Sequence, residues 1–275
     1  MAQTGSQASG VAIVTGAASG MGEAAARLMA EAGWPLLLVD LSAERLAQTA
    51  ERLRQSGPVE TLAGDLADAA FPDRLVAALA DRPVGAMIHC AGLSPSMADP
   101  ARVLEVNLAA TMRLVDVVRP RMSEGGAAVL FASTAGHMLG TMLDDQISKA
   151  ITPEAVASLA PLAPESGAAY SISKRGVMLL VKREAQAFGR HGARIASVSP
   201  GIIDTPMGRM EMSNQPMMKG LLENTALPRM ARPEEVAAIA VFLCSPTASF
   251  VTGTDVLVDG GSMAVIQSGQ AGALR

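Results

Sequence analysis

Short apolar runs alternate with longer, alanine-rich stretches along most of the chain. The short runs are typical of strands buried on both faces, and the longer stretches have the spacing of helices. This alternation predicts one α/β domain of Rossmann type, a doubly wound parallel sheet of about seven strands with helices on both faces. The pattern places strands over 11–15, 36–40, 59–63, 84–90, 127–133, 193–199 and 255–258, and helices over 20–32, 43–55, 71–80, 100–122, 170–191 and 233–244.

The alternation also sets the expected organisation of the chain. Residues 1–10 are small and polar and are expected to form a disordered tail, while 11–262 form the catalytic domain and 263–275 a C-terminal extension. Two segments interrupt the pattern inside the domain. The first, 137–169, is predicted to be an insertion with one or two short helices, and the second, 204–232, follows the sixth strand.

Composition narrows the classes of function. The chain has 275 residues, of which 49% are hydrophobic but only 3% aromatic, so Ala, Val, Leu, Ile and Met must build its core. A net charge of −4 offers no basic surface for nucleic acid or an anionic membrane. No apolar run has the length of a membrane span, and the start lacks a signal-peptide pattern.

The cysteines and histidines point to a reduced compartment and no metal chemistry. Cys90 and Cys244 lie in apolar runs and are expected to be buried free thiols in a cytoplasmic protein. No cluster of Cys, His and Asp has the spacing of metal ligands, so no catalytic metal is expected.

A glycine-rich loop between the first strand and the first helix is the first candidate binding site. Gly16, Gly20 and Gly22 would allow a tight turn. The backbone amides at the helix start, which includes Ser19 and Met21, would then face a pyrophosphate. The spacing differs from the Gly-x-Gly-x-x-Gly fingerprint, and a plain strand-to-helix turn is the alternative.

The second strand ends in an acid that would choose between two cofactors. Asp40 is placed to hydrogen-bond the adenosine ribose hydroxyls, whereas a 2′-phosphate would require Arg or Lys nearby. The neighbouring residues Ala17, Ala18, Ser19 and Leu41 are all uncharged. The sequence therefore favours NAD over NADP.

The motifs of the chain, taken in order, resemble those of the short-chain dehydrogenase/reductase family over nearly the whole length. Cys90 stands where the family usually has Asn in an Asn-Ala-Gly motif. The resemblance implies an oxidoreductase that interconverts a secondary alcohol and a ketone. The matching positions are Gly16, Gly20 and Gly22; Asp65 and Leu66 at the adenine; Cys90, Ala91 and Gly92; Asn107; Ser133; Tyr170 and Lys174; Pro200, Gly201, Ile203 and Thr205 at the nicotinamide; and 258–261.

Tyr170 and Lys174 carry the predicted acid–base chemistry. Four residues apart on a helix, they share one face, and an ammonium beside a phenol is expected to lower the phenol's pKa. Tyr170 would then act as base for an alcohol or acid for a ketone. Ser133 would stabilise charge on the substrate oxygen. The resemblance further implies that Lys174 holds the nicotinamide ribose and that Asn107 opens its helix locally for a water in a proton relay.

The two irregular segments are predicted to shape the substrate pocket. Ser133 and Tyr170 lie 37 residues apart, a long separation that resembles the 3α-hydroxysteroid dehydrogenase/carbonyl reductase branch of the family. Segment 204–232 is interpreted as a substrate lid, with Met207 and Met210 binding a bulky apolar substrate alongside Ser133. A helix packed on its own core is the alternative. The insertion would add a second apolar wall through Met138, Leu139, Met142, Leu143 and Ile147.

Two other functions remain open on the same fold. An epimerase or dehydratase would need further acid–base residues, and a catalytically idle NAD-binding regulator would be expected to lack a member of the Ser, Tyr and Lys set. The resemblance also implies a homo-oligomer, a dimer or tetramer, assembled through helices 100–122 and 170–191. The insertion lies next to the second helix and favours a dimer.

Overall fold

The structure, a computed structural model, describes residues 8–215 and 217–269. Its strands form one parallel sheet in the order β3-β2-β1-β4-β5-β6-β7, with helices on both faces. The predicted fold class is confirmed. The strands are β1 (Val11–Thr15), β2 (Leu36–Asp40), β3 (Val59–Ala63), β4 (Val84–His89), β5 (Met122–Phe131), β6 (Arg194–Pro200) and β7 (Asp255–Val258).

The helices fall between the strands, as the alternation predicts, and capping residues fix several of their starts. Ser42 and Asp99 each accept a backbone N–H from the first turn of their helix, which satisfies a donor that has no partner within the helix. The helices are α1 (Gly20–Glu31), α2 (Ala43–Leu53), α3 (Phe71–Leu79), α4 (Pro100–Leu104), α5 (Ala110–Val118), α6 (Thr134–Met138), α7 (Asp144–Lys149), α8 (Ser166–Arg190), α9 (Pro206–Asn214), α10 (Met217–Glu223), α11 (Pro233–Cys244) and α12 (Ser262–Gln267).

Side chains that alternate along the central strands build two separate cores. In β1, Val11 and Ile13 face one side of the sheet, and Ala12 and Val14 face the other. The first side packs against α3, α4, α5 and α8, and the second against α1, α2 and α11. The successive residues of a strand point to opposite faces, so a strand buried on both sides reads as a continuous apolar run.

The strand order reverses between β1 and β4, which are neighbours in the sheet. The loops that follow these two strands therefore diverge and leave a crevice at their carboxyl ends. In open parallel sheets this is where ligands bind. The fold thus gathers the predicted site residues that follow β1, β4, β5 and β6 along one edge of the sheet.

Both ends of the domain differ from the prediction. Ala8 packs against the second core and Gly10 lies against Pro83, so the described part of the predicted tail contacts the domain. Residues 1–7 and 270–275 lie outside the described residues. The predicted C-terminal extension begins with α12, whose Met263 is buried.

The insertion is mainly a core element and not a wall of the pocket. It contributes the end of α6, α7, a 3-10 turn over Val156–Leu162 and the start of α8, and its Ile147 is fully buried in the first core. Leu139 and Leu143 pack against the same core, while Met142 is exposed. The prediction that these residues line the pocket is wrong for all but Met138. The reason is that α8 offers a large apolar face, which the insertion covers.

Candidate active site

The glycine loop after β1 has the backbone of a phosphate cradle. Gly16 and Gly20 have φ angles of +67° and +57°, a region that side chains disfavour. A Cβ on Gly22 would lie 2.1 Å from the carbonyl oxygen of Gly16, so only glycine lets α1 start this close to β1. The glycines therefore leave open a space that other side chains would fill, and this space fits a dinucleotide pyrophosphate.

Asp40 at the end of β2 is fixed beside this loop. Its two carboxylate oxygens accept the backbone N–H groups of Ala18 and Ser42, each at 3.0 Å. The next residue, Leu41, is 68% exposed and uncharged. These contacts hold the acid at the edge of the cradle, and its role at the adenosine ribose stays a prediction.

Asp65 follows β3 and is held by a cation that the sequence analysis missed. Burial would raise its pKa, but the N–H of Ala67 and the guanidinium of Arg102 together hold the pKa of this carboxyl below its usual range. Leu66 packs partly against the first core. Asp65 and Arg102 thus form an ion pair directly after β3.

The segment after β4 lies between the glycine loop and α8, the helix that carries Tyr170 and Lys174. A Cβ on Gly92 would lie 3.1 Å from Asn107 Oδ1 and 3.4 Å from Lys174 Nζ. Cys244 is buried as predicted, whereas Cys90 is partly exposed and lines a cavity. Burial raises the pKa of the Cys90 thiol, which keeps it protonated and unreactive.

Asn107 lies in a π-helical segment, Glu105–Ala109, between α4 and α5. The helix is therefore locally open at this residue. The Asn107 side chain accepts the N–H of Leu93 at 2.7 Å and donates to the carbonyl of Leu93 at 2.9 Å and to Ser173 Oγ at 3.3 Å. The Asn107 side chain thereby connects the loop after β4 to α8.

Ser133 follows β5 and forms the N-cap of α6, where its Oγ accepts the N–H of Ala135 at 3.2 Å. Lys174 on α8 is buried and donates from Nζ to the carbonyl oxygen of Phe131 at 2.8 Å. Tyr170, one turn before Lys174, lines the same cavity as Ser133. The sheet and α8 thus bring together the three predicted catalytic side chains.

The pKa of Tyr170 shifts in the direction opposite to the prediction: it is raised, not lowered. Burial and the charge of Glu211 raise the phenol's pKa, although the hydrogen bond with Ser133 lowers it in part. The Lys174 ammonium lies 5.7 Å from the centre of the Tyr170 ring and is turned to the backbone of β5. Burial lowers the pKa of Lys174 to about 8. Helical spacing places two residues on one face but does not decide where their polar ends point.

The loop after β6 closes the site. Thr205 forms the N-cap of α9 by accepting the N–H of Gly208 at 2.9 Å, and its methyl group lies 3.0 Å from where a Cβ of Gly20 would be. The predicted nicotinamide loop therefore touches the predicted phosphate loop. Pro200, Gly201, Ile203 and Thr205 all line the cavity.

The cavity has a volume of about 760 Å³ and a mostly apolar wall. Met207 lines it, but Met210 does not, contrary to the prediction. Met207 and Glu211, four residues apart on α9, share the face turned to the cavity, and Met210 lies outside it. Residues that the sequence analysis missed also contribute: Leu93, Glu211, Gln215, Leu221, Val265 and Ile266.

Residues 8–215 and 217–269 contain neither a cluster of metal ligands nor a membrane-spanning helix. Within them, no group of three or more His, Cys, Asp and Glu side chains could hold a metal ion. In the same part of the chain, every helix is too short or too polar to span a membrane.

Both halves of the chain match models of one family. A model described as short chain dehydrogenase matches residues 10–145, and one described as enoyl-(acyl carrier protein) reductase matches residues 155–263. A short-chain dehydrogenase/reductase of Alternaria brassicicola is 33% identical over 261 residues, which cover 90% of this chain and 94% of the relative. The chain belongs to the short-chain dehydrogenase/reductase family. It is therefore an oxidoreductase of the kind that interconverts alcohols and ketones.

Other short-chain dehydrogenases that resemble the chain act on different alcohols. Galactitol 2-dehydrogenase of Rhizobium johnstonii is 32% identical over 262 residues, with 91% of this chain and 93% of the relative covered. The 3-alpha-hydroxysteroid dehydrogenase/carbonyl reductase of Comamonas testosteroni is 28% identical over 273 residues, with 94% and 99% covered. The crystal structure of a 3-alpha-hydroxysteroid dehydrogenase from Pseudomonas sp. B-0831, complexed with NADH, superposes with a TM-score of 0.79 at 26% identity and covers 94% of this chain and 98% of that one.

Proposed function

We propose that the chain is an NAD-dependent dehydrogenase or reductase of bulky, mostly apolar secondary alcohols and ketones. The observation that carries this proposal is a single arrangement. Ser133, Tyr170 and Lys174 lie at an apolar cavity of about 760 Å³, next to a glycine cradle that fits a dinucleotide.

The residues of the chain divide the chemistry between them. A nicotinamide, when bound, supplies the hydride acceptor or donor. Ser133 Oγ donates a hydrogen bond to the substrate oxygen, which stabilises the charge that develops there. Tyr170 Oη takes the hydroxyl proton during oxidation of an alcohol, or gives a proton to the oxygen during reduction of a ketone.

Lys174 and Asn107 support this proton transfer. Lys174 donates to the carbonyl of Phe131, and the Asn107 amide holds Leu93 in the loop after β4. We propose that the Lys174 ammonium also holds the nicotinamide ribose. The open helix at Asn107 would then pass a proton from Tyr170 towards solvent.

The choice of NAD rests on Asp40. Its carboxylate is fixed beside the glycine loop by two backbone amides, and Leu41 beside it carries no charge. A 2′-phosphate placed there would meet a carboxylate without a compensating cation. The NADH in the Pseudomonas crystal structure is consistent with this choice.

The apolar substrate class rests on the wall of the cavity. Four methionines line it, from four different elements: Met21, Met138, Met207 and Met218. Methionine adapts to irregular apolar shapes, and a multi-ring or aryl substrate would bury this surface at about 25 cal/mol per Å². A small polyol, such as the substrate named for the Rhizobium relative, would leave the same apolar wall in contact with water.

Location and assembly are part of the proposal as well. We propose a cytoplasmic homo-oligomer, because both cysteines are free thiols and because α8 and the α4–α5 region form long helical surfaces beside the site.

A dehydratase or epimerase would need another acid or base at the substrate. Glu211 is such a carboxylate on the cavity, but its oxygens accept hydrogen bonds from Ser94, Ser96 and Gln215. The oxidoreductase is therefore the function that the geometry favours. Mass spectrometry of the product separates the reactions, because reduction of a ketone adds two hydrogen atoms and dehydration removes water.

The test is a screen that follows NADH absorbance with steroid ketones, cyclic ketones, aryl ketones and the matching alcohols, against polyols as the polar control. We expect turnover of the bulky apolar compounds. Tyr170→Phe removes the proton donor and should lower kcat by about three orders of magnitude while leaving NADH binding nearly unchanged. Binding of NADH without turnover of any compound would instead support the idle regulatory protein.

A further inference from the structure

One carboxylate stands out in the apolar cavity. Glu211 lies on α9 and is only 7% exposed, and it lines the same cavity as Ser133 and Tyr170. A carboxylate buried in this way is costly unless its oxygens are hydrogen-bonded or paired with a cation.

The described partners of Glu211 are all neutral. Its Oε1 accepts from Ser94 Oγ at 2.5 Å and from the backbone N–H of Ser96 at 3.1 Å. Its Oε2 accepts from the side-chain amide of Gln215. These bonds satisfy the oxygens and tie α9 to the loop after β4, but they leave the negative charge uncompensated.

Anchoring the helix does not require that charge. A glutamine at the same position has the same shape and keeps a carbonyl oxygen that could accept from Ser94 and Ser96. The charge does act within the cavity, because it raises the pKa of Tyr170. Lys174, the cation on the cavity wall, is engaged with the carbonyl of Phe131 and does not neutralise it.

We propose that Glu211 is a specificity-determining residue that selects among substrates by the polar group they carry. Substrates with a hydrogen-bond donor, a hydroxyl or an ammonium group, are accepted, and substrates with a carboxylate or phosphate group are rejected. The physical reason is that an anion brought into this mostly apolar cavity meets a like charge, whereas a donor can use the one lone pair of the carboxylate that its three protein donors leave open. This inference rests on the proposed function and names the substrate class of the same site.

The test uses three probes of nearly equal size: para-(aminomethyl)acetophenone, para-(hydroxymethyl)acetophenone and para-acetylbenzoate. Calorimetry with the protein saturated in NAD+, which cannot reduce a ketone, gives a Kd for each probe without turnover. We expect the ammonium probe to bind most tightly and the carboxylate probe most weakly. Equal affinities, the reverse order, or no measurable binding of any probe would overturn the inference.

Glu211→Gln separates charge from anchoring. We expect the ratio of the ammonium and carboxylate affinities to fall by about tenfold or more, because the like charge is gone. A role in anchoring alone would weaken the binding of all three probes equally and leave the ratio unchanged, which would contradict the proposal. Glu223→Gln on α10 is the matched control, since it removes an exposed carboxylate outside the cavity lining and should leave the ratio unchanged.

Turnover then distinguishes this inference from the function on which it rests. If the probes bind in the expected order but neither they nor any other ketone oxidises NADH, the proposed function fails and the selectivity of Glu211 stands. If ketones are reduced but kcat/KM is the same for the three probes, the selectivity fails and the function stands.

Discussion

The Lys174 ammonium donates a hydrogen bond of 2.8 Å to the carbonyl oxygen of Phe131, at the carboxyl end of β5. This bond directs the charge of Lys174 towards the backbone, and the ammonium lies 5.7 Å from the centre of the Tyr170 ring. Because burial is the largest influence on the phenol, the pKa of Tyr170 lies above that of a free tyrosine. Tyr170 is therefore a neutral phenol at neutral pH.

The single tyrosine of the chain makes this state directly measurable. Tyrosinate absorbance in the near ultraviolet reports Tyr170 alone, and the charged groups that face it are Lys174 and Glu211. We expect its midpoint to lie above the ordinary phenol value. In Glu211→Gln the midpoint should fall, because a like charge that disfavours the phenolate is removed. A midpoint below the ordinary value in the wild-type protein would contradict the account.

Asp40→Ala should narrow the preference for NAD over NADP. The carboxylate contributes charged hydrogen bonds to the ribose in the proposed complex, so its loss should raise the KM for NADH by about tenfold. The same change removes the repulsion of a 2′-phosphate, so the KM for NADPH should not rise in parallel. Steady-state kinetics with both cofactors checks this. A wild-type enzyme that prefers NADPH would refute the assignment of Asp40.

Met207 and Met210 offer a matched pair on one helix, because Met207 lines the cavity and Met210 does not. Met207→Ala removes apolar contact area and should lower kcat/KM for steroid or aryl ketones by about tenfold, with little effect on a small ketone such as acetone. Met210→Ala should leave this ratio between bulky and small substrates unchanged. Equal effects of the two substitutions would show that α9 acts through packing alone.

His89 should make the stability of the protein sensitive to pH. It is buried between Thr15 at 2.7 Å and Thr111 at 2.9 Å, and burial lowers its pKa to about 3. The unfolded chain binds a proton near pH 6.5 and the folded chain does not, so stability falls as the pH drops from about 6.5 towards 3. Between pH 6.5 and 5 the expected loss is about 2 kcal/mol.

Urea unfolding at neutral and mildly acidic pH measures this loss. His89→Asn should be less stable at neutral pH, because it breaks the buried hydrogen bonds, but its stability should fall less on acidification. An equally steep fall in the variant would assign the pH dependence to other groups.

The insertion is expected to limit assembly. Asp144 of α7 forms an ion pair with the buried Arg175 of α8, and Arg183 of α8 bonds to the carbonyl of Ile151. The insertion therefore occupies part of the helix surface through which a tetramer would form. We expect a dimer by light scattering at micromolar concentration. A monomer would contradict the proposal of a homo-oligomer. A tetramer would show that the insertion does not block assembly through α8.

The alternation of apolar runs was sufficient for the fold and for most of the element boundaries. β1, β2, β3, β7 and α11 begin and end at the predicted residues. These strands are buried on both faces or end in clear turn residues, so local pattern and tertiary environment agree. The predicted helix over 100–122 ends earlier, because β5 already begins at Met122.

The candidate site was predictable wherever a motif fixes the backbone. Gly16, Gly20 and Gly22 need conformations or contacts that other residues cannot adopt, so the sequence pattern carries their role. Ser133, Asn107, Tyr170 and Lys174 were found because their motifs, in this order, resemble those of the short-chain dehydrogenase/reductase family. In each case the information is local to one loop or one helix.

What only the tertiary structure decided is how separate segments face one another. The direction of the Lys174 ammonium depends on where β5 ends, and the burial of Glu211 depends on where the loop at Ser94 lies. The insertion reads as an apolar wall in sequence, yet it packs on α8, because burial follows whichever apolar surface is nearest in three dimensions. By itself the sequence determined the fold and pointed to the candidate cofactor cradle and the candidate catalytic residues. Contacts between distant segments decided the charge and the shape of the substrate cavity, since neither hydrophobicity nor spacing encodes the direction of a side chain.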